Sequence, residues 1–524
     1  MVKINYTLLP VKAHYFFLLA AMGPILPFLP VFGKQLGVSE VVMGGINAVL
    51  PILFLVIKPF FGYIIDYFHK KRKIIFISLL IATSLFYFLM VFIPNSETVI
   101  TIKCGSLHSC NYSSEIKTTL CHWSNGNTSE YIAVDLTSYC TTSSEYVDCL
   151  SSNETGTLVC DEPVSGFYLG FSFWAFTILM SLGTIGYNVS NCISDAICFY
   201  ILGDGCEMKY GKQRVWGTIG FGISALLGGF AMDFLNHDDA QTQGAKDYFP
   251  AFSIATLCMI IDILCCFKLK LPPMPKSENI IGDIRTLIKK PHIATFLSFA
   301  VFVGICDASV IFYLLWYLED LAKETGFSSN IKLLEGLTVA VETLCGEVIM
   351  FSLSGKILSK IGFGHCLSMC FAFYALRMAL IALIPSPWWI IPVEMFMQGP
   401  TYALCYTTIV AYASAVAPPG TSGTIQGIVA GMDDGLGFSI GSLVGGVIYR
   451  MYGGRMLFII TSVVAITCCI IHSILFNLYF KHSLEKPSNS TPMKTSQASP
   501  IEEAAEFETA KFIRNQNNDV AIVN

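Results

Sequence analysis

The sequence predicts an all-α membrane protein: twelve transmembrane helices in two six-helix halves, interrupted by one large cysteine-rich extracellular loop. Three observations predict it. Of 524 residues, 54% are apolar and 13% charged, about half the charged share of a soluble domain. That is more apolar surface than one water-facing globule hides. Apolar runs of about 20 residues, the length that crosses a bilayer as a helix, recur along the chain. A glycine-rich decapeptide, GFGISALLGG at Gly220–Gly229, returns as GFSIGSLVGG at Gly437–Gly446.

The runs fall at 12–34, 41–65, 74–94, 168–197, 208–234, 249–269, 292–318, 334–358, 365–384, 388–413, 424–449 and 456–480. Lipid offers no partner for an open backbone amide, so these runs are helices rather than strands. The first is too long and too rich in proline (Pro24, Pro27, Pro30) for a cleaved signal peptide, and no small-residue cleavage site follows it. Lys and Arg in short loops set the orientation. Lys70, Lys71, Arg72, Lys73, Lys209, Lys212, Lys268, Lys270, Lys276, Arg285, Lys289, Lys290, Lys356 and Lys360 fall on one side; Lys34, Lys246, Lys323, Lys332, Arg450 and Arg455 fall on the other. This bias puts both termini in the cytosol.

The loop 95–165 is polar and carries Cys104, Cys110, Cys121, Cys140, Cys149 and Cys160. Six cysteines allow up to three disulfides, and all 15 pairings stay open. Acceptor sequons stand at Asn111, Asn127 and Asn153. Those at Asn5, Asn188 and Asn489 fall where the topology puts them out of reach. Cysteines and sequons together place the loop on the oxidising side, in agreement with the charge bias.

The decapeptide occupies helix 5 and then helix 11, an offset of six. A second echo, GYIIDYFHKKRK (Gly62–Lys73) and GKILSKIGFGHC (Gly355–Cys366), ends helices 2 and 8. From Gly62 to Gly220 is 220 − 62 = 158 residues and from Gly355 to Gly437 is 437 − 355 = 82. The excess of 158 − 82 = 76 is close to the size of the loop. Parallel six-helix repeats with a solute site between the halves define a transporter architecture. Gly437, Gly441 and Gly445 step by four and form one smooth stripe that lets a neighbouring helix approach closely.

The motif Gly62-x-x-x-Asp66-x-x-x-Lys70-Lys71 resembles the inner signature of the major facilitator superfamily, in which an acid and adjacent cations latch one conformation. The echo keeps Gly355 but has Ser359 in place of the acid. Three longer stretches, His14–Ser39, Tyr210–Gly222 and Ala417–Gly446, resemble the group called major facilitator superfamily domain-containing protein 6, over about residues 10–480. That group is distantly similar to the proton-coupled oligosaccharide symporters such as lactose permease. The resemblance implies a solute-holding acid at Asp195 on helix 4 and an arginine at Arg214 on helix 5, with Asn188 and Trp216 beside them. It implies a coupling set of Glu342 and Glu347 on helix 8, Arg377 on helix 9 and Glu394 on helix 10. Glu394 falls where the permease has a histidine, and Met397 or Gln398 falls near its acid.

Charge in lipid costs about 2.5–3.5 kcal/mol per residue on insertion scales, so such groups face a cavity or a partner. Arg377 needs an acid: Glu342 is the first expectation, Glu394 the second. Asp307 on helix 7 and the pair Asp433–Asp434 on helix 11 sit near mid-depth. Adjacent residues point about 100° apart on a helix, so one of the pair is expected to face the cavity. Asp262 on helix 6 reads as structural, and His14 and Lys58 as interfacial.

The domain reading is 1–94, helices 1–3; 95–165, the glycosylated loop; 166–270, helices 4–6; 271–291, a cytosolic linker; 292–480, the second half; and 481–524, a polar, disordered cytosolic tail. Tyr6-Thr7-Leu8-Leu9 fits a short endocytic sorting pattern of the kind that recurs by chance; the expected residence is the plasma or an endolysosomal membrane. The net charge of −5 is small. No phosphate loop, zinc-spaced cysteine set or nucleophile elbow appears, so no enzyme, cofactor, metal or nucleic-acid partner is expected. The expected partners are the lipid bilayer and a small polar solute such as a sugar or nucleoside, with protons as candidate coupling ions. The alternative is a surface receptor or adhesion protein whose 95–165 loop binds an extracellular protein.

Overall fold

A computed structural model describes residues 8–26, 29, 32–33, 36, 38, 40–94, 119–124, 129–134, 157–160, 171–203, 205–235, 248–273, 277–326 and 331–480. Of the expected loop sites, Cys104, Cys110, Cys140, Cys149, Asn111, Asn127 and Asn153 lie outside these residues, as do Tyr6, Thr7 and the tail. The chain divides into two units, Met1–Ile474 and Leu475–Asn524. In the second, Phe476–Phe480 forms a π-turn; everything below concerns the first.

The apolar runs are helices. In the first half they are α1 (Leu9–Met22), α2 (Glu40–Tyr67), α3 (Arg72–Leu89), α4 (Phe171–Leu202), α5 (Gly211–Leu235) and α6 (Phe249–Cys266). In the second half come α7 (Pro291–Thr325); α8 (Ile331–Val341, a π-turn Glu342–Glu347, then Val348–Ile361); α9 (Phe363–Leu383); and α10 (Ile390–Gln398, a π-turn Gly399–Ala403, then Leu404–Val416). α11 runs through Ser422–Ala430, a π-turn Gly431–Gly437 and on to 452; α12 spans 454–475. Gly453, at φ 80°, breaks the helix between them, a backbone conformation that glycine adopts at no steric cost. Among the described residues, eight helical segments are long and apolar enough to cross a membrane. Val56, Ile74, Phe230 and Leu257 lie exposed on these helices, the apolar outer face that lipid covers.

Two segments differ from the sequence reading. The linker 271–291 contains a helix, Ile280–Ile288, started by the Asn279 side chain, which accepts from the Gly282 amide at 2.9 Å as an N-cap does. The 95–165 segment contains three antiparallel strands, β1 (Thr119–Ser124), β2 (Ser129–Val134) and β3 (Thr157–Cys160), in the order β2-β1-β3. Their register sets Cys121 opposite Cys160.

The repeated decapeptides make equivalent contacts. On α5, Gly220 packs against the backbone of Phe16 in α1, and Gly228 against Pro24. On α11, Gly437 packs against Val301 and Gly304 in α7, and Gly441 against Ile305 and Ala308. Helix 5 on helix 1 and helix 11 on helix 7 repeat one relation six helices apart, with glycine bringing backbone onto backbone in both. The two halves meet through α2 with α11 and through α5 with α8. An added Cβ on Gly62 would run into the Gly423 carbonyl, and one on Gly355 into the Met208 carbonyl.

Candidate functional site

Between the halves lies a narrow cavity with room for a water or two. Its wall combines Lys58 of α2, Asn191, Cys192 and Asp195 of α4, Tyr406 of α10, and Gln426, Asp433 and Asp434 of α11. The first half thus supplies Lys58, Asn191 and Asp195; the second supplies Tyr406, Gln426 and both aspartates.

Asp195 is buried and accepts three phenolic hydrogen bonds: from Tyr15 of α1 at 2.7 Å, from Tyr210 at 2.7 Å and from Tyr406 at 2.6 Å. Arg214 stands 4.0 Å from it, donates to Asn191 at 2.6 Å, and lies over the rings of Tyr15 and Tyr406 at 5.3 and 5.2 Å. The guanidinium is 4% exposed, so it is held inside the bundle rather than reaching to the headgroups. Two neighbours named with it belong elsewhere. Trp216 is 41% exposed and sits beneath the Lys12 ammonium at 5.9 Å. Two residues apart on a helix is about 200° of rotation, so Arg214 and Trp216 cannot both face the cavity. Asn188 donates back to the Thr184 carbonyl one turn earlier at 3.0 Å; Asn191 takes the place beside Arg214.

Lys58 is a correction. Read as interfacial, it is 2% exposed and forms an ion pair with Asp434 across the halves. Both Asp433 and Asp434 line the cavity, where the sequence led us to expect one. They sit in the π-turn Gly431–Gly437, which changes the angular step between neighbours and is a common device at functional sites. The Oδ1 atoms of both aspartates are buried without a partner.

Four further acids of the second half are Glu342, Glu347, Glu394 and Asp307. Arg377 pairs with Glu394 through Nε at 3.2 Å and through Nη2, and donates to Thr401 at 2.8 Å. Glu394 therefore takes the place first expected of Glu342, which starts the α8 π-turn and remains within electrostatic reach of both. Asp307 accepts from Tyr374 at 2.7 Å. Glu347 bridges the halves, accepting from Thr218 of α5 at 3.2 Å and from Gln398 at 2.9 Å.

The latch motif is rearranged. Asp66 accepts from the amides of Gly423 and Thr424 at 3.1 and 2.6 Å, from the Thr424 hydroxyl at 2.7 Å, and from Tyr200 at 2.7 Å. A carboxylate thus closes the N-terminus of α11, where free amides and the helix dipole favour an anion. Lys70 and Lys71, expected as its cations, are exposed in the turn after α2. Arg72, one residue on, is buried; it donates to the Pro272 carbonyl and lies over the Tyr200 ring at 4.8 Å. Sequence reasoning missed Lys58, Asn191, Tyr406 and Arg72. A tyrosine or lone lysine inside an apolar run was the signal available for the first and third.

The sequence signature of the MFS_1 like family matches residues 8–460. The chain belongs to this family. Similarity to named relatives is low but long. Major facilitator superfamily domain-containing protein 6-like of Danio rerio is 20% identical over 463 residues, 83% of this chain and 81% of that protein. The Homo sapiens protein of the same name is 21% identical over 310 residues, half of its length. The multidrug resistance protein MdtG of Escherichia fergusonii is 23% identical over 314 residues, 58% of this chain and 71% of that protein. Among solved structures, the nucleoside transporter NupG has the same fold, with a TM-score of 0.53 at 16% identity over 90% of this chain and 99% of that one. The chain is a multi-pass membrane protein.

Proposed function

We propose that this protein is a secondary active transporter that moves a small polar solute by alternating access. The observation that carries the reading is a central cavity whose polar wall is divided between the halves and joined by Tyr406–Asp195 and Lys58–Asp434. In this state the cavity holds only a water-sized space, and α11 is docked on α2 at the Asp66 end. Buried charges that lose their partners must find others. A solute that replaces these contacts lowers the cost of parting the halves.

The wall favours a hydroxylated solute, sugar-like or nucleoside-like. Phenols, an amide and a carboxylate offer both donors and acceptors at Tyr406, Asn191 and Asp195, and a few such groups on a concave wall fix orientation. NupG, which shares the fold, is a nucleoside transporter. Among the described residues lining the cavity, Asp433 and Asp434 share one cation, Lys58. The uncompensated negative charge is what a proton or a cationic part of the solute neutralises, which motivates proton coupling. The reading includes twelve spans and cytosolic termini.

Counterflow tests the function. Proteoliposomes preloaded with unlabelled sugar or nucleoside should take up the same labelled solute faster than unloaded ones, as a carrier with one alternating site requires. Uptake that never exceeds that of protein-free liposomes across the solute panel would contradict it.

The second reading, a receptor or adhesion role for the 95–165 segment, is favoured by its three strands, which give an extramembrane insertion a framework. Grafted onto an unrelated membrane protein, the segment should then transfer partner binding.

A further inference from the structure

We propose that His14, Asp262 and Cys266 form a zinc site inside the first half, back to back with the transport cavity. The three donors come from two helices. Asp262 and Cys266 stand one turn apart on α6, and His14 projects from α1. Their ligand atoms lie within 4.8 Å of one another. His14 Nδ1 is 2.7 Å from Asp262 Oδ1 and 3.2 Å from Cys266 Sγ; Sγ is 3.7 Å from Oδ1. All three residues are buried, at 2%, 0% and 0% exposure.

Proton bookkeeping around the histidine points to a metal. Ser194 Oγ gives its hydrogen to the Ser190 carbonyl at 2.6 Å, so it accepts from His14 Nε2 at 2.7 Å. That contact fixes the tautomer, as the outer partners of metal-bound histidines do. With the ring neutral, Nδ1 turns a bare lone pair toward a carboxylate oxygen and a sulfur. A positive centre lies between them, either a proton on Nδ1 or a metal ion. A divalent ion with imidazole, thiolate and carboxylate gives a site of zero net charge, the form a buried environment tolerates best. One nitrogen, one sulfur and one oxygen suit zinc, whose bonds of about 2.0–2.3 Å set tetrahedral donors roughly 3.3–3.8 Å apart. Two of the three separations already lie within a few tenths of an ångström of that range. The second oxygen of Asp262, Oδ2, is buried and without a partner among the described residues, so the carboxylate has a free acceptor to turn onto an ion. Phe76 edges the imidazole at 5.3 Å.

The site is wired to the cavity by sequence adjacency. His14 and Tyr15 on α1 meet Ser194 and Asp195 on α4 as two consecutive rungs, each at 2.7 Å. One rung ends at the zinc site and the other at the solute site. A bound metal would hold α1, α4 and α6 as one body while the halves move.

The test uses the full chain, purified without chelator, equilibrated with buffered Zn2+ and passed through gel filtration. The proposal expects about one zinc per chain by mass spectrometry. It expects a more than tenfold loss in Cys266→Ser, Asp262→Asn and His14→Gln, and full retention in Cys265→Ser. Replacement by Co2+ should give a thiolate-to-cobalt charge-transfer band in the wild type and in Cys265→Ser. Should Cys266→Ser not fold, His14→Gln, which keeps an amide donor beside Ser194, carries the same comparison. Wild-type protein that holds no zinc and shows no cobalt band would overturn the proposal and leave a protonated histidine–aspartate pair. So would metal retained undiminished in the cluster variants.

Discussion

Tyr406 of the second half donates its phenolic hydrogen to Asp195 of the first at 2.6 Å, with Arg214 lying over the same ring. This contact joins the two halves at the wall of the cavity. A hydrogen bond to a charged acceptor contributes about 1.5–3 kcal/mol, enough to shift a two-state equilibrium by roughly tenfold or more. Tyr406→Phe should therefore shift the protein away from the closed form. Distances between spin labels across the Gly62–Gly423 contact would show the change; an unaltered distribution would argue that the bond carries no closing energy.

The Asp66 end makes a sharper prediction. Asp66→Asn removes the anion that four donors address, and Gly62→Val pushes a side chain into the Gly423 carbonyl. Both should open that end, raising the alkylation rate of a cysteine placed at Met208 severalfold. Arg72→Ala should act in the same direction. Lys70→Ala and Lys71→Ala should leave the rate near wild type, because both cations are exposed.

Arg377 and Glu394 are 1% and 0% exposed. Removing one member of such a pair leaves a buried charge alone and costs about 3–5 kcal/mol. Glu394→Gln should lower the melting temperature in detergent markedly, whereas Glu342→Gln should lower it less. Equal effects would place Glu342, as the sequence first suggested, in the structural role.

In the 95–165 segment, Cys121 and Cys160 are directly opposed on antiparallel strands. Opposed Cα atoms lie about 4.5–5.5 Å apart, inside the range a disulfide spans. Non-reducing peptide mapping should find this pair joined, and amidase treatment should shift the protein's mobility through Asn111, Asn127 and Asn153. A free Cys121 thiol would remove the first expectation, and an unchanged band the second.

The doubled helix pattern was legible because lipid enforces it: apolar runs of one length, and glycine wherever backbones touch. Asp195, Arg214 and Asp66 were placed by resemblance to family motifs of fixed spacing, Gly62-x-x-x-Asp66 and the Gly211–Gly217 stretch among them. The partners could not. Lys58 meets Asp434 at a separation of 376 residues and His14 meets Asp262 at 248, and no local pattern encodes such pairs. The facing of Asp433 and Asp434 was misread because α-helical periodicity fails across a π-turn. Lys70 and Lys71 were chosen over Arg72 because composition does not show which residue leaves the turn and enters α3.

Transport through the cavity can be measured as flux. Labelled-solute uptake into proteoliposomes should be measured for wild type, Asp195→Asn and Lys58→Ala, each checked for fold by gel filtration. The prediction is that a polar solute moved by the wild type is moved at least tenfold more slowly by both variants. A solute carried equally well by all three would show that the cavity between the halves is not where the cargo binds.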